Sequence, residues 1–137
     1  MDAKAQLLQR VPLFATLSGK GLEQVAQLAD EVDVASGTTL TREGATGGEF
    51  FVIIDGSVEV TREGGVLSTL GPGDFLGEIA LVDGGPRTAT ARTTSASRLL
   101  VMTSPQFHTL LADQPEVRLC VLQALAARVR RLDAEAT

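Results

Sequence analysis

The chain has 137 residues with a formal net charge of -5, is 44% hydrophobic and only 4% aromatic, and contains five Phe but no Trp or Tyr. That is one domain's length with enough aliphatic side chains for a core. The acidic balance argues against a duplex nucleic-acid binder, which needs a basic face. The single cysteine, Cys120, rules out an internal disulfide or a cysteine-held cluster within one chain.

Residues 2–10 predict a short helix, broken where Pro12 disfavours helix in the residue before it. Met1 to Leu17 carries Lys4 and Arg10 as its only basic residues and has no continuous apolar run. It is neither a secretory signal nor a membrane span, and a cytoplasmic chain with no membrane partner is the expectation. Ser18 is a candidate N-cap for a helix from Gly19 to about Ala29, where Leu22, Val25, Ala26 and Ala29 recur at helical spacing.

After Asp30 the pattern changes to short β-type runs with glycine-containing turns between them. The expected strands are 31–35, 38–41, 50–55, 57–62, 66–70, 87–93 and 97–102. They predict a mainly β fold with flanking α-helices: an eight-stranded double-sheet jelly-roll β-barrel over 31–102. Helical spacing returns after Ser104, the expected helix start, with Pro105 behind it. One helix is predicted over 105–112 and a longer one from Pro115 to about Ala134. On the latter, Leu122, Leu125, Val129 and Leu132 form a short coiled-coil-like seam, open to packing on the barrel or to a homodimer contact. Arg128, Arg130 and Arg131 form a basic cluster there, followed at once by Asp133 and Glu135. The whole chain, 1–137, is read as one domain, without internal repeat or low-complexity stretch.

The chemistry concentrates between Phe75 and Ala91. Gly77-Glu78-Ile79-Ala80-Leu81 can form a single helical turn whose first amides lack intrahelical acceptors and attract an anion. Gly77 lets the backbone approach that anion because it has no Cβ. Arg87, ten residues on, carries a guanidinium that forks onto two phosphate oxygens, and Thr88 adds a hydroxyl. Glu78 would repel a phosphate, so its better use is to accept from a sugar hydroxyl, with Arg87 near enough to compensate its charge. One anion site plus one hydroxyl acceptor describes a ribose phosphate.

These residues also resemble the phosphate-binding cassette of the cyclic-nucleotide-binding domain. That family includes the catabolite activator protein, regulatory subunits of cAMP-dependent protein kinase, and cyclic-nucleotide-gated channels. Upstream, Glu43-Gly44, Phe50-Phe51-Val52-Ile53 and Gly56-Ser57-Val58-Glu59-Val60 resemble its early strands, and the likeness runs over roughly residues 8–134. Leu76 departs from the family pattern, standing where Phe is common. The resemblance implies that Gly77, Ile79 and Ala80 offer amides to a cyclic phosphate, that Arg87 pairs with its exocyclic oxygen, and that Glu78 holds the ribose 2′-hydroxyl. Thr88 would serve the phosphate or the base edge. For the base pocket, Val58 and Leu67 are candidates from the strands, with barrel core as their other role. The last helix would supply a lid from the region of Arg131 to Glu135: Glu135 accepting from an adenine amino group, Arg128 or Arg131 stacking on the ring.

The ligand implied is cAMP, or alternatively cGMP, with no cofactor. A metalloenzyme of the cupin type shares the outline but needs two or three strand histidines; this chain has only His108, on a predicted helix. No catalytic residue and no metal site is therefore expected. The competing reading is a fold-retaining interaction module that does not bind nucleotide. The effector is unassigned, and the chain is either a stand-alone sensor or a piece of a larger transcription factor, kinase or transporter.

Overall fold

The structure, a computed structural model, describes the backbone from Ala3 to Ala136 and side chains as far as Arg131. Two short helices, α1 (Ala3–Gln9) and α2 (Gly19–Leu28), flank a 3-10 turn at Pro12–Phe14. The Ser18 cap is present, its hydroxyl accepting from the Gly21 amide at 3.2 Å. The strands follow: β1 (Asp30–Val34), β2 (Thr39–Thr41), β3 (Glu49–Asp55), β4 (Val58–Arg62), β5 (Gly65–Leu70), β6 (Phe75–Leu76), then helix α3 (Glu78–Asp83), β7 (Thr90–Thr93) and β8 (Ser97–Thr103). Helices α4 (Ser104–Asp113) and α5 (Pro115–Ala136) close the chain.

The strands form two four-stranded antiparallel sheets, ordered β1-β8-β3-β6 and β2-β7-β4-β5. Each sheet keeps its own edges, so the double-sheet expectation is met and a closed barrel is not. β3 explains the layering. Successive side chains on a strand point to opposite faces, and in this strand both faces are covered. Phe51 and Ile53 join Val58, Leu76, Ala91 and Leu99 between the sheets. Phe50 and Val52 join Leu100, Met102 and the apolar faces of the helices in a second core. There Phe50 stacks on Phe107 of α4 with ring centroids 4.4 Å apart. This double burial is why Phe50 to Ile54 reads as an unbroken apolar run.

Two strands differ from the expected ones. The strand expected over 87–93 begins at Thr90, because the Arg87 amide is diverted to Ala45 O at 2.9 Å and Arg87 O accepts from Gly44. The two-residue β6 was not foreseen; it pairs Phe51 with Leu76 and Val52 with Phe75. Helix α4 starts at Ser104, as expected, with Thr103 as its cap: the Thr103 hydroxyl accepts from the Gln106 amide while the Gln106 side chain accepts from the Thr103 amide, a complete capping box.

The candidate ligand cavity

The segment singled out by sequence is the crossover between the sheets, running from β6 at the edge of one to β7 inside the other. Gly77 starts it in the left-handed region at φ 94°, and a Cβ there would lie 2.6 Å from Glu49 O. No other residue fits without moving the backbone. α3 then turns directly off Gly77, leaving the amides of its first turn without intrahelical acceptors.

Together with β4, β5 and α5 this crossover encloses a cavity of about 330 Å³, within the range of roughly 300–1,000 Å³ usual for small-molecule sites. All six cassette candidates, Gly77, Glu78, Ile79, Ala80, Arg87 and Thr88, line it, as do Leu67 and Arg131. Val58 does not: it is fully buried between the sheets, so its role is core and its place in the base pocket is withdrawn. The Glu135 side chain lies outside the described residues. Although the chain is acidic overall, Arg62, Arg87, Arg128 and Arg131 all reach this one cavity, with Glu78 as the carboxylate among them.

Arg87 is only 5% exposed. Its Nη1 donates to Gly77 O at 3.1 Å and its Nη2 to Glu49 O at 2.7 Å. Gly47 makes room for it, since a Cβ on Gly47 would overlap the guanidinium. Burial pulls its pKa down, while Glu49 and Glu78 hold it up; a guanidinium starts so high that it stays charged. Two carbonyls thus brace Arg87 in the cavity wall, with donors left over.

Glu78 is 1% exposed, and burial pushes its carboxyl above the usual carboxylate range against its own backbone amide, Arg128 and Arg87. Its ion-pair partner is Arg128 of α5, at 3.1 Å from Oε1. Arg87 compensates the same carboxylate at longer range, as expected, and Arg128 adds the closer contact. Among the described residues the Arg128 ion pair is the contact that Oε1 makes, which leaves the buried carboxylate further acceptor capacity. Sequence reasoning missed Gly47 and Glu49 as the seat of Arg87, Arg62 at the rim, and the Arg128–Glu78 pair; it offers Arg128 or Arg131 for stacking on the ring.

The sequence matches the family model of the cyclic nucleotide-binding domain over residues 31–114. The chain belongs to that family. It is similar to the CRP-like cAMP-activated global transcriptional regulator of Mycobacterium tuberculosis, with 30% identity over 131 residues, 92% of this chain and 58% of the relative. The Thermus thermophilus catabolite activator protein superposes with a TM-score of 0.82 at 28% identity, covering 91% of this chain and 61% of that one. A cAMP-bound PfPKA-R structure shares the fold, with a TM-score of 0.86 at 23% identity over 96% of this chain and 46% of that one. The chain therefore spans a little over half the length of the curated relative it matches. Among the described residues no helix is long and apolar enough to cross a membrane.

Proposed function

We propose that the chain is a sensor that binds a 3′,5′-cyclic nucleotide, cAMP first and cGMP second, and signals through α5. The carrying observation is that two buried, oppositely charged groups, Glu78 and the braced Arg87 guanidinium, line one cavity. A cyclic phosphodiester supplies the anion for Arg87 and for the amides of Gly77, Ile79 and Ala80, and its ribose 2′-hydroxyl donates to the Glu78 carboxylate beside Arg128. The Thr88 hydroxyl serves the phosphate or the base edge, while Leu67 and Arg131 stand over the base. Family membership and a relative named as cAMP-activated support the choice of ligand.

Coupling follows from the competition at Glu78. Without ligand, Arg128 of α5 is its partner; with ligand, the sugar hydroxyl takes a share of the same carboxylate. The hold on α5 then differs between the two states, which is the differential contact an allosteric claim requires. The whole of 1–137 is taken as this one sensory unit. The ligand is expected to leave intact, as from a sensor rather than an enzyme.

Calorimetric titration with cAMP, cGMP and 2′-deoxy-cAMP tests the reading. Arg87→Lys keeps the charge but cannot span both carbonyls and phosphate, and should weaken cAMP binding at least thirtyfold, the low end of the loss for a shielded charge contact of about 2–5 kcal/mol. The ligand-free melting temperature separates this from unfolding. Unimpaired binding by a folded Arg87→Lys variant, or no binding by the parent, would end the proposal.

A further inference from the structure

Arg62 is the last residue of β4 and is exposed, yet it lines the cavity. β4 pairs with β7 in the register Val60↔Ala91 and Thr61↔Thr90, where that ladder ends, while Arg62 still pairs with Gly65 of β5. Val60, Ala89 and Ala91 line the same cavity, which places Arg62 at its mouth.

Its guanidinium is fixed from behind. Nε donates to Thr88 O at 2.8 Å, which orients the fork. The Nη groups have no hydrogen-bond or ion-pair partner among the described residues, and the flanking Glu59 and Glu63 do not pair with it. A guanidinium has donors only, so its partner must be an acceptor. Within a bound nucleotide, the phosphate is already met by Arg87 and the first-turn amides, and the sugar hydroxyl is a donor to Glu78. Of the acceptors left, the ring nitrogens of the base are stronger than the ether and ester oxygens of the sugar and the cyclic phosphate.

Resting on the cyclic-nucleotide reading, we infer that Arg62 is a specificity-determining residue that donates to the purine N7. That acceptor is common to adenine and guanine; guanine adds O6 beside it, the edge to which an arginine fork is suited. Pyrimidines lack it. Arg62 therefore selects purine over pyrimidine cyclic nucleotides and tolerates both cAMP and cGMP.

The test is an atom-by-side-chain cycle measured by calorimetry on the full chain. Replacing N7 by CH, in 7-deaza-cAMP, should weaken binding to the parent about five- to tenfold, the scale of a partly exposed hydrogen bond from a charged donor. Arg62→Met, which keeps the stem and removes the donors, should lose the same factor on cAMP and nothing more on 7-deaza-cAMP. Equal losses on both ligands would make Arg62 a mere brace for Thr88 and overturn the inference, as would no loss on either. A parent that binds no cyclic purine at all would instead bring down the site reading on which this rests.

Discussion

A carboxylate with 1% exposure opposes folding, because ionising it in the protein forfeits hydration that Arg128 and Arg87 only partly replace. The folded-state pKa of Glu78 is raised above its ordinary 4.5, so the native protein binds a proton more readily there than the unfolded chain. Stability should therefore fall as pH rises from about 4.5 through the raised value, and stay lower above it. Glu78→Gln keeps the shape and removes the titration, and it leaves Arg128, already 44% exposed, to solvent. The variant should melt close to the parent at pH 4 and several degrees above it at pH 7, while binding cAMP more weakly. A melting difference that does not change with pH would contradict this. Glu78 and Arg87 were legible because the local order of glycine, acid and arginine carries their chemistry. Arg62 and the Arg128–Glu78 pair were not, since strand register sets the first and the phase of a distant helix sets the second.

At the scale of elements, the question is what positions α5 so that Arg128 meets Glu78. The segment between β8 and α5 is for the most part helix α4, stiffened by the Thr103–Gln106 capping box. The break is confined to Gln114 (φ -123°, ψ 89°), where Pro115 excludes helix in the residue before it. α2 grips this elbow. Gln24 donates to Asp113 Oδ2 at 2.7 Å and accepts from Gln114 Nε2 at 2.6 Å, and Gly21 leaves space for the Gln114 side chain, to which a Cβ would come within 3.0 Å. From the elbow to Arg128 the helix extends roughly 20 Å at about 1.5 Å per residue, so a small rotation at Gln114 displaces the guanidinium by several ångströms. Gln24→Ala should speed amide exchange across α5 and weaken cAMP binding about three- to tenfold through faster release, the scale of one or two exposed hydrogen bonds. Unchanged exchange in α5 would mean the elbow is held by packing alone. The sequence announced both helices through their prolines and apolar spacing, but a bond between residues 90 positions apart leaves no local trace.

For the whole molecule, α5 has two apolar faces and the fold uses one. Val117 and Val121 are buried and Leu125 packs against the same core, with Arg128 continuing that face to the cavity. Leu119, Leu122 and Val129 are 55–56% exposed in a row on another face. The seam expected from spacing, Leu122, Leu125, Val129 and Leu132, thus mixes the two: over fewer than three heptads, steps of three and four residues cannot say which stripe meets the body, and Leu132 lies outside the described side chains. Three large aliphatic chains in line on one helix form a self-complementary strip, and a second α5 related by a twofold axis would cover it. Homodimerisation through this face should appear in sedimentation velocity as a concentration-dependent doubling of mass. Leu122→Glu combined with Val129→Glu places like charges along the strip and should leave a folded monomer. Because these residues point away from Glu78 and Arg87, that monomer should bind cAMP as the parent does. A parent that stays monomeric at high concentration would leave the strip to some other partner, and a parallel loss of affinity in the double variant would mean that the second copy helps to close the cavity.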